Sequence, residues 1–240
     1  MLFRSHVVGV SRWVSQRLGT AVPLTCIPNG VDAARLGPTR PRAAMRAELG
    51  FGADDFVLGY VGRFVEEKQP QLLVDIVSRL PPPFKALFVG WGALRARVLE
   101  LANERIPGRY AFTTAVGNVG DYYAALDALC LTSAEEGHGL VVLEAMMCGR
   151  PVIGTPVGCV PEVIEDRVNG LVARDDPDSF AAAARLLHSR PDWARGLAAE
   201  GRAFALEHGH ARTMARHYEE LLLRLWREKQ AVAQLEPSSP

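Results

Sequence analysis

The chain has 240 residues, and its 27 basic and 27 acidic side chains give a formal net charge of zero. The basic residues form no stripe, so nucleic acid is not expected as a partner. The apolar runs are too short to cross a membrane, and the N-terminus lacks the pattern of a secretory signal. These features predict a globular protein of the cytoplasm.

The cysteines and histidines give no sign of a metal site. The four cysteines have no CxxC spacing and lie mostly in apolar surroundings, which favours reduced, packed thiols over disulfides or zinc ligands. Among the six histidines, His208 and His210 are the only close pair. No metal site is therefore expected among them; no bound cofactor is expected either.

The N-terminal part of the chain has a strand, a helix and a strand that make no domain of their own. The strands are predicted at 6–10 and 24–27 and the helix at 11–18, and the turn Pro-Asn-Gly-Val-Asp follows at 28–32. Residues 36–50 are predicted to be a linker.

From residue 51, short β-rich segments alternate regularly with helical patterns. Strands are predicted at 56–61, 86–89, 128–131, 151–153 and 171–173, and helices at 69–80, 93–103, 120–126, 140–148 and 161–165. This alternation predicts an α/β fold with a Rossmann-like parallel sheet and helices on both faces, over residues 51–190. Ligands bind such sheets beyond the carboxyl ends of the strands.

The C-terminal region is predicted to be helical over residues 191–230. Its last helix is amphipathic, with one apolar face formed by Met214, Tyr218, Leu221, Leu222, Leu225 and Trp226. Packing on the body of the protein is the expected role of this face, and docking of a partner domain or a membrane surface is the alternative. Residues 231–240 end in Pro-Ser-Ser-Pro and are predicted to be a disordered tail.

Glu144 is the most informative residue, because it is the only charged residue in the apolar helix predicted at 140–148. Burying an unpaired carboxylate costs several kcal/mol, so a ligand that uses it is expected; pairing with a core arginine or histidine is the alternative. Glu136 lies in the polar stretch before the helix. The two acids bracket a helix N-terminus, where free N–H groups favour an anion. This arrangement indicates a site for a phosphorylated, hydroxyl-rich ligand.

Two cations follow the first strand of the alternating region. Arg63 comes directly after that strand, and Lys68 is one of only three lysines in the chain. Together they suit a diphosphate, since arginine offers a planar fork and lysine a point charge. Two solvated charges in a loop are the alternative.

Other strand ends carry weaker signals. Gly90 and Gly92 resemble half of a dinucleotide fingerprint, but the third glycine and the acid are missing. The backbone at Val116 and Gly117 could approach a base closely; equally, it could be only a turn. The run Asp175-Asp176-Pro177 could suggest a carboxylate metal site. An aspartate that caps a helix, followed by proline in the first turn, explains it better.

Taken together, these motifs resemble those of retaining, nucleotide-sugar-dependent glycosyltransferases with the GT-B fold, the family usually numbered 4. The resemblance rests on Gly62-Arg63 with Lys68, on the spacing of the two acids in EEGHGLVVLEAMMCGRPVI, and on GCVPEVIEDRVNGLV. It runs from about His6 to at least Val172 and matches the C-terminal, donor-binding half. It implies that residues 1–35 are the end of an N-terminal acceptor domain plus a connection, with the rest of that domain missing or on a separate chain.

The resemblance also implies roles for single residues. Arg63 and Lys68 would neutralise the diphosphate of the donor, Glu136 would hold hydroxyls of the transferred sugar, and Glu144 would hold the ribose. The remaining binding positions would be Gly62, Gly137, His138, Gly139, Leu140, Val141, Val116 and Gly117. In this family the glycosidic bond is formed with retention, by front-face attack and without a metal.

Two positions depart from the family pattern: His138 stands where Phe is common, and Cys159 where a second Gly is common. Three readings remain open. The first is a donor half that needs a partner half for catalysis. The second is a nucleotide-sugar-binding module or remnant without catalysis, and the third is another GT-B enzyme such as a sugar-nucleotide epimerase. Peripheral contact with the inner face of a membrane is an additional expectation.

Overall fold

The computed structural model describes residues 6–114 and 117–235. The eight strands within these ranges are β1 Val7–Gly9, β2 Leu24–Cys26, β3 Phe56–Val61, β4 Phe84–Val89, β5 Tyr110–Thr113, β6 Ala128–Leu131, β7 Val152–Gly154 and β8 Leu171–Val172. The nine α-helices are α1 Arg12–Arg17, α2 Arg42–Glu48, α3 Pro70–Ser78, α4 Arg95–Arg105, α5 Val119–Ala125, α6 Leu140–Met147, α7 Pro177–Ser189, α8 Pro191–His208 and α9 Ala211–Leu235. The predicted strands are all present, and so are the predicted helices except one, with ends shifted by a few residues. The helix predicted at 161–165 is wrong: the structure has a 3₁₀ turn at Val160–Glu162.

Strands β3 to β8 form one parallel sheet in the order β5-β4-β3-β6-β7-β8. The chain therefore moves outward in one direction from β3 and in the other from β6. These two strands are neighbours, paired at Leu58–Ala128 and Gly59–Leu129. The crevice beyond their carboxyl ends is the switch point at which ligands bind in doubly wound sheets.

Each face of this sheet is covered by helices, as predicted. Leu58 and Phe88 point to a core that includes α3, α4 and α7. Val57 and Leu87 point to the other face, where the core includes α5, α6 and the end of α8. Side chains alternate along a strand, so neighbouring apolar residues pack into the cores on opposite faces of the sheet. This explains why the strands are apolar throughout.

The N-terminal elements form a separate two-stranded parallel sheet, β1 with β2, linked by α1. Val31, after this unit, exchanges backbone hydrogen bonds with the junction between α8 and α9. The segment predicted as a linker, 36–50, contains α2, whose Met45 and Arg46 are buried.

The C-terminal helices end the described chain. The side chain of Asp176 accepts a hydrogen bond from the Ser179 N–H and caps α7, as expected for an acid followed by proline. On α9, Leu221 is buried, but Leu222 and Trp226 are exposed, so the apolar face packs only in part. This helix reaches into the predicted tail as far as Leu235; residues 236–240 lie outside the described ranges. No helix in the described chain combines the length and apolarity needed to span a membrane.

Candidate functional site

A cavity of about 320 Å³ lies beyond the carboxyl ends of β3 and β6. Eight of the predicted site residues line it, namely Gly62, Arg63, Lys68, Glu136, His138, Gly139, Leu140 and Val141. They come from three segments: the loop after β3, the loop after β6, and the first turn of α6. The parallel sheet brings these segments together because all of its strand ends point to the same edge.

Lys68 and Glu136 form an ion pair at one wall of this crevice. Lys68 Nζ lies 2.8 Å from Glu136 Oε2, and the two side chains are 21% and 12% exposed. The other carboxylate oxygen, Oε1, accepts a hydrogen bond of 3.1 Å from the Gly139 N–H, and Ser133 Oγ donates to Oε2 at 3.2 Å. Burial alone would raise the pKa of Glu136, but Lys68 and the backbone N–H groups outweigh it and lower the pKa. Glu136 is therefore an ionised carboxylate near neutral pH.

Arg63 lies at the mouth of the crevice with a 62% exposed side chain. Its nearest carboxylate is that of Glu67, 3.4 Å away, an exposed pair of little energetic weight. The backbone is held more firmly, because the hydroxyl of Tyr60 donates to the Arg63 carbonyl. Burial raises the pKa of Tyr60 well above its usual range, so this donor stays protonated. A fixed backbone with an exposed guanidinium suits a residue that contacts a ligand from the rim.

Glycines allow neighbouring loops to approach each other closely at the carboxyl edge of the sheet. Gly62 has φ of +154°, and a Cβ added at Gly90 would lie 1.9 Å from the Gly62 carbonyl oxygen. Across the crevice, a Cβ added at Gly158 would lie 1.9 Å from the Glu136 carbonyl oxygen. That oxygen also accepts a hydrogen bond of 2.9 Å from the Cys159 N–H. The loop after β7 therefore supports the loop that carries Glu136.

The N-terminus of α6 faces this constellation. Gly139, with φ of +71°, precedes the helix and provides no side-chain cap. The first N–H groups of an uncapped helix are donors for an anion, and the helix dipole adds to the attraction. From Val142 to Met147 the apolar residues of the helix are buried and hold it in a fixed position, while Leu140 at its start is exposed.

Glu144 lies one turn further along α6. Its Oε2 accepts a hydrogen bond of 2.7 Å from the hydroxyl of Tyr123, a fully buried residue of α5. The alternative of a core arginine or histidine partner is wrong for the described chain, where Tyr123 is the partner. Burial raises the pKa of Glu144, opposed by the hydrogen bond from Tyr123. Glu144 does not line the cavity, but it shares a helix face with Leu140 and Val141, which do.

Two predicted positions lie at the start of α5. Gly117 has φ of +84° and precedes Asn118, whose side chain caps the helix by accepting from the Gly120 N–H at 2.9 Å. Val116 lies outside the described residues. The turn alternative for this segment thus accounts for Gly117 without a ligand.

His138 lines the crevice, but its ring nitrogens contact the N-terminal unit. Nδ1 lies 2.7 Å from the Val10 carbonyl oxygen, and Nε2 lies 2.8 Å from the Asn29 carbonyl oxygen. The neighbouring Gly137 carbonyl accepts a hydrogen bond of 2.8 Å from Ser11 Oγ. The loop that carries Glu136 is therefore attached to the β1–α1–β2 unit.

Sequence reasoning missed Tyr60, Ser133, Tyr123 and Ser11. Ser133 begins the polar stretch after β6 and could have been included on that ground. The other three have no local signal, since their partners are remote in sequence or are backbone atoms.

The architecture and the site define one class of protein. The doubly wound parallel sheet, with an uncapped helix N-terminus and two cations at its switch point, is a Rossmann-like half of a GT-B fold. Residues 55–190, more than half of the chain, match the model of the glycosyl transferases group 1 family. The chain belongs to this family.

Individual relatives agree with this assignment. The chain is similar to a lipopolysaccharide core biosynthesis mannosyltransferase, LpsB, of Rhizobium meliloti, with 32% identity over 84% of the chain and 62% of the relative. It is also similar to a D-inositol 3-phosphate glycosyltransferase of Saccharomonospora viridis, with 34% identity over 90% of the chain and 53% of the relative. The crystal structure of Anabaena HepE in complex with UDP-glucose superposes with a TM-score of 0.85 and 26% identity, over 92% of this chain and 64% of that one. The chain thus spans about half to two thirds of the length of these relatives.

Proposed function

We propose that this chain supplies the donor-binding half of a retaining, metal-independent glycosyltransferase, which moves a sugar from a nucleotide-diphosphate sugar to an acceptor. The observation that carries the proposal is the convergence of Arg63, Lys68 and the uncapped N-terminus of α6 on one crevice beside a carboxylate. The UDP-glucose bound to HepE supports a nucleotide sugar as the ligand, because HepE shares this fold.

Each part of the donor has a matching group in the crevice. The diphosphate would lie at the N-terminus of α6, between Arg63 and Lys68. Glu136 would accept hydrogen bonds from sugar hydroxyls, since its ionised carboxylate faces the cavity. Glu144 would accept from the ribose hydroxyls, and its raised pKa indicates a carboxylate that gains from such donors.

In the proposed reaction the chain stabilises charge and positions the reactants, and it supplies no nucleophile. The acceptor oxygen bonds to the anomeric carbon on the face from which the diphosphate departs. The bond between that carbon and the phosphate oxygen breaks, and the acceptor proton passes to the departing phosphate oxygen. Arg63, Lys68 and the helix terminus stabilise the charge on the leaving group, which is the largest contribution expected of such a site.

The acceptor and the compartment are further parts of the proposal. A second α/β domain, on the same or another chain, would face this crevice and bind the acceptor. The cytoplasm is the proposed location, with contact at the inner face of the membrane. The four free cysteines fit a reducing compartment.

Calorimetry with a panel of nucleotide diphosphates and their sugars tests the donor site. We expect micromolar binding of one nucleotide, and a loss of about a hundredfold in Arg63→Ala/Lys68→Ala, because two cations contact the diphosphate. The matched control is Arg97→Ala/Lys229→Ala, which removes the same charges from exposed surface positions. Equal affinity of the site variant and its control would contradict the proposal.

Assays of transfer then separate the three readings. Activity that appears only after a GT-B acceptor domain is added supports a donor half, and binding without transfer in every combination supports a non-catalytic module. Conversion of a free nucleotide sugar without any acceptor indicates an epimerase.

A further inference from the structure

His138 connects the donor crevice to the N-terminal unit through both nitrogens of its ring. The two contacts are short, 2.7 Å to the Val10 carbonyl and 2.8 Å to the Asn29 carbonyl. Both partners are carbonyl oxygens, which only accept hydrogen bonds. A neutral imidazole carries one N–H and can donate to only one of them; the other nitrogen would face a carbonyl with its lone pair. The imidazolium donates to both.

Within the described residues, the two acids that line the cavities beside His138 already have other partners. Glu136 is paired with Lys68 at 2.8 Å. Glu162 accepts hydrogen bonds from the Arg12 and Trp13 N–H groups at the start of α1, and its carboxylate lies 3.5 Å from the Arg12 side chain. Burial raises the pKa of the Cys159 thiol to about 12, so it stays neutral. The titratable groups that line the same two cavities as the ring are Tyr60, Arg63, Lys68, Cys130 and Glu136 on one side and Arg12, Cys26, Cys159, Glu162 and His208 on the other.

The His138 ring lines two cavities. It lines the donor crevice, and it also lines a second cavity of about 300 Å³ between the N-terminal unit and the loop after β7. A charge on this ring is therefore close to the place proposed for the diphosphate. In the crevice itself Lys68 is already compensated by Glu136, and Arg63 has Glu67 as its neighbour.

We propose that His138 is a protonated positioning residue: it holds the Val10 and Asn29 carbonyls against the donor loop and couples protonation to diphosphate binding. The inference deepens the proposed function and rests on it. The diphosphate binds more tightly to the protonated form, so binding favours protonation of the ring. The phenylalanine that is common at this position in the family has neither effect.

Nitrogen NMR on the wild-type protein without ligand tests the protonated bridge directly. Long-range ¹H–¹⁵N correlation at pH 6 should show both ring nitrogens of His138 in the N–H form, and the His138→Phe spectrum identifies its signals. One nitrogen with a lone-pair shift would overturn the proposal. This experiment needs no nucleotide to decide the protonation state.

Calorimetry with UDP-glucose, whose diphosphate does not titrate near neutrality, tests the coupling. Between pH 6 and pH 8 the wild type should lose about tenfold in affinity, with proton uptake seen in buffers of different ionisation enthalpy. His138→Phe should show a flat profile of affinity against pH. The control His208→Gln, at a residue that lines the second cavity but not the donor crevice, should keep the wild-type slope.

Parallel slopes for the wild type and His138→Phe would overturn the coupling. Absence of UDP-glucose binding at every pH, together with absence of binding by any nucleotide of the panel, would instead overturn the proposed function. The nitrogen spectrum would still decide whether the bridge is protonated, so the two failures are distinguishable.

Discussion

Strands β3 and β6 carry charged clusters at both of their ends, and the clusters differ in how completely they are paired. At the amino ends, Asp127 binds Arg42 at 2.6 Å, contacts Arg46, and accepts a hydrogen bond of 2.7 Å from the Val57 N–H. The two arginines also donate to backbone carbonyls around them. At the carboxyl ends, Lys68 and Glu136 form a single pair and Arg63 is largely exposed.

This difference separates charges that stabilise the fold from charges that are available to a ligand. The Asp127 cluster has carbonyl and carboxylate partners for its donors, so a ligand could add little to it. The crevice has cations at its rim and an uncapped helix terminus, which a diphosphate could complete. Stability changes should therefore dominate at the amino ends and binding changes at the carboxyl ends.

The largest expected effect is on stability, from Asp127→Ala. It leaves Arg46, which is 5% exposed, without its carboxylate, and breaking such a pair costs about 3–5 kcal/mol. Urea denaturation measures the loss in the free energy of unfolding. The control Asp178→Ala removes an exposed partner of Arg79 and should cost under about 0.5 kcal/mol. Similar losses in both variants would show that the cluster has no special role.

The second effect tests the ion pair at the crevice. Lys68→Met should cost about 1–2 kcal/mol near pH 7, less than Asp127→Ala, because Ser133 and the Gly139 N–H still bind Glu136. The pKa of Glu136 is lowered in the fold, so its contribution is present above the unfolded-state pKa and is lost as the pH falls through the folded-state pKa. The difference between the variant and the wild type should therefore shrink in acid.

A double-mutant cycle checks that this loss belongs to the pair. Lys68→Met and Glu136→Gln should be non-additive, since each removes the same interaction. Additive losses across urea titrations at pH 7 would mean that the two side chains stabilise the fold independently.

The two ends of strands β3 and β6 also show how much of the structure could be predicted from the sequence. The alternation of strands and helices predicted the sheet, and the rule that ligands meet strand ends placed Arg63, Lys68 and Glu136 in one crevice. Pairing between Lys68 and Glu136 was not predictable, because they are remote in sequence and meet only when β3 and β6 become neighbours. The tyrosine partner of Glu144 depends in the same way on how α5 packs against α6. Nothing local marked Asp127, because its arginine partners come from a segment that was predicted to be a linker.

A substitution at Glu144 is expected to have a smaller effect on stability than Lys68→Met, and to stabilise the protein rather than destabilise it. The pKa of Glu144 is raised, so its carboxyl favours the fold when protonated, and this contribution is lost as the pH rises through the folded-state pKa. Glu144→Gln should therefore stabilise the protein by about 0.5–1 kcal/mol near pH 7 while weakening nucleotide binding. The control Glu100→Gln, on the exposed surface, should change neither. Unchanged nucleotide affinity in Glu144→Gln would remove the proposed ribose role.

The smallest effect on stability is expected at Arg63. It tests most directly whether the charges at the carboxyl ends of the strands are available to a ligand. The side chain is 62% exposed and its one ion pair, with Glu67, spans 3.4 Å, so Arg63→Ala should change the free energy of unfolding by less than about 0.5 kcal/mol. Arg97→Ala is the matched control, because the Arg97 side chain is 61% exposed and also pairs with a nearby exposed glutamate, Glu100. The two variants should be alike in urea denaturation and differ in nucleotide affinity, which only Arg63→Ala should lower. If Arg63→Ala destabilised the fold as strongly as Lys68→Met, its guanidinium would be a structural group, and the division between the two ends of the strands would fail.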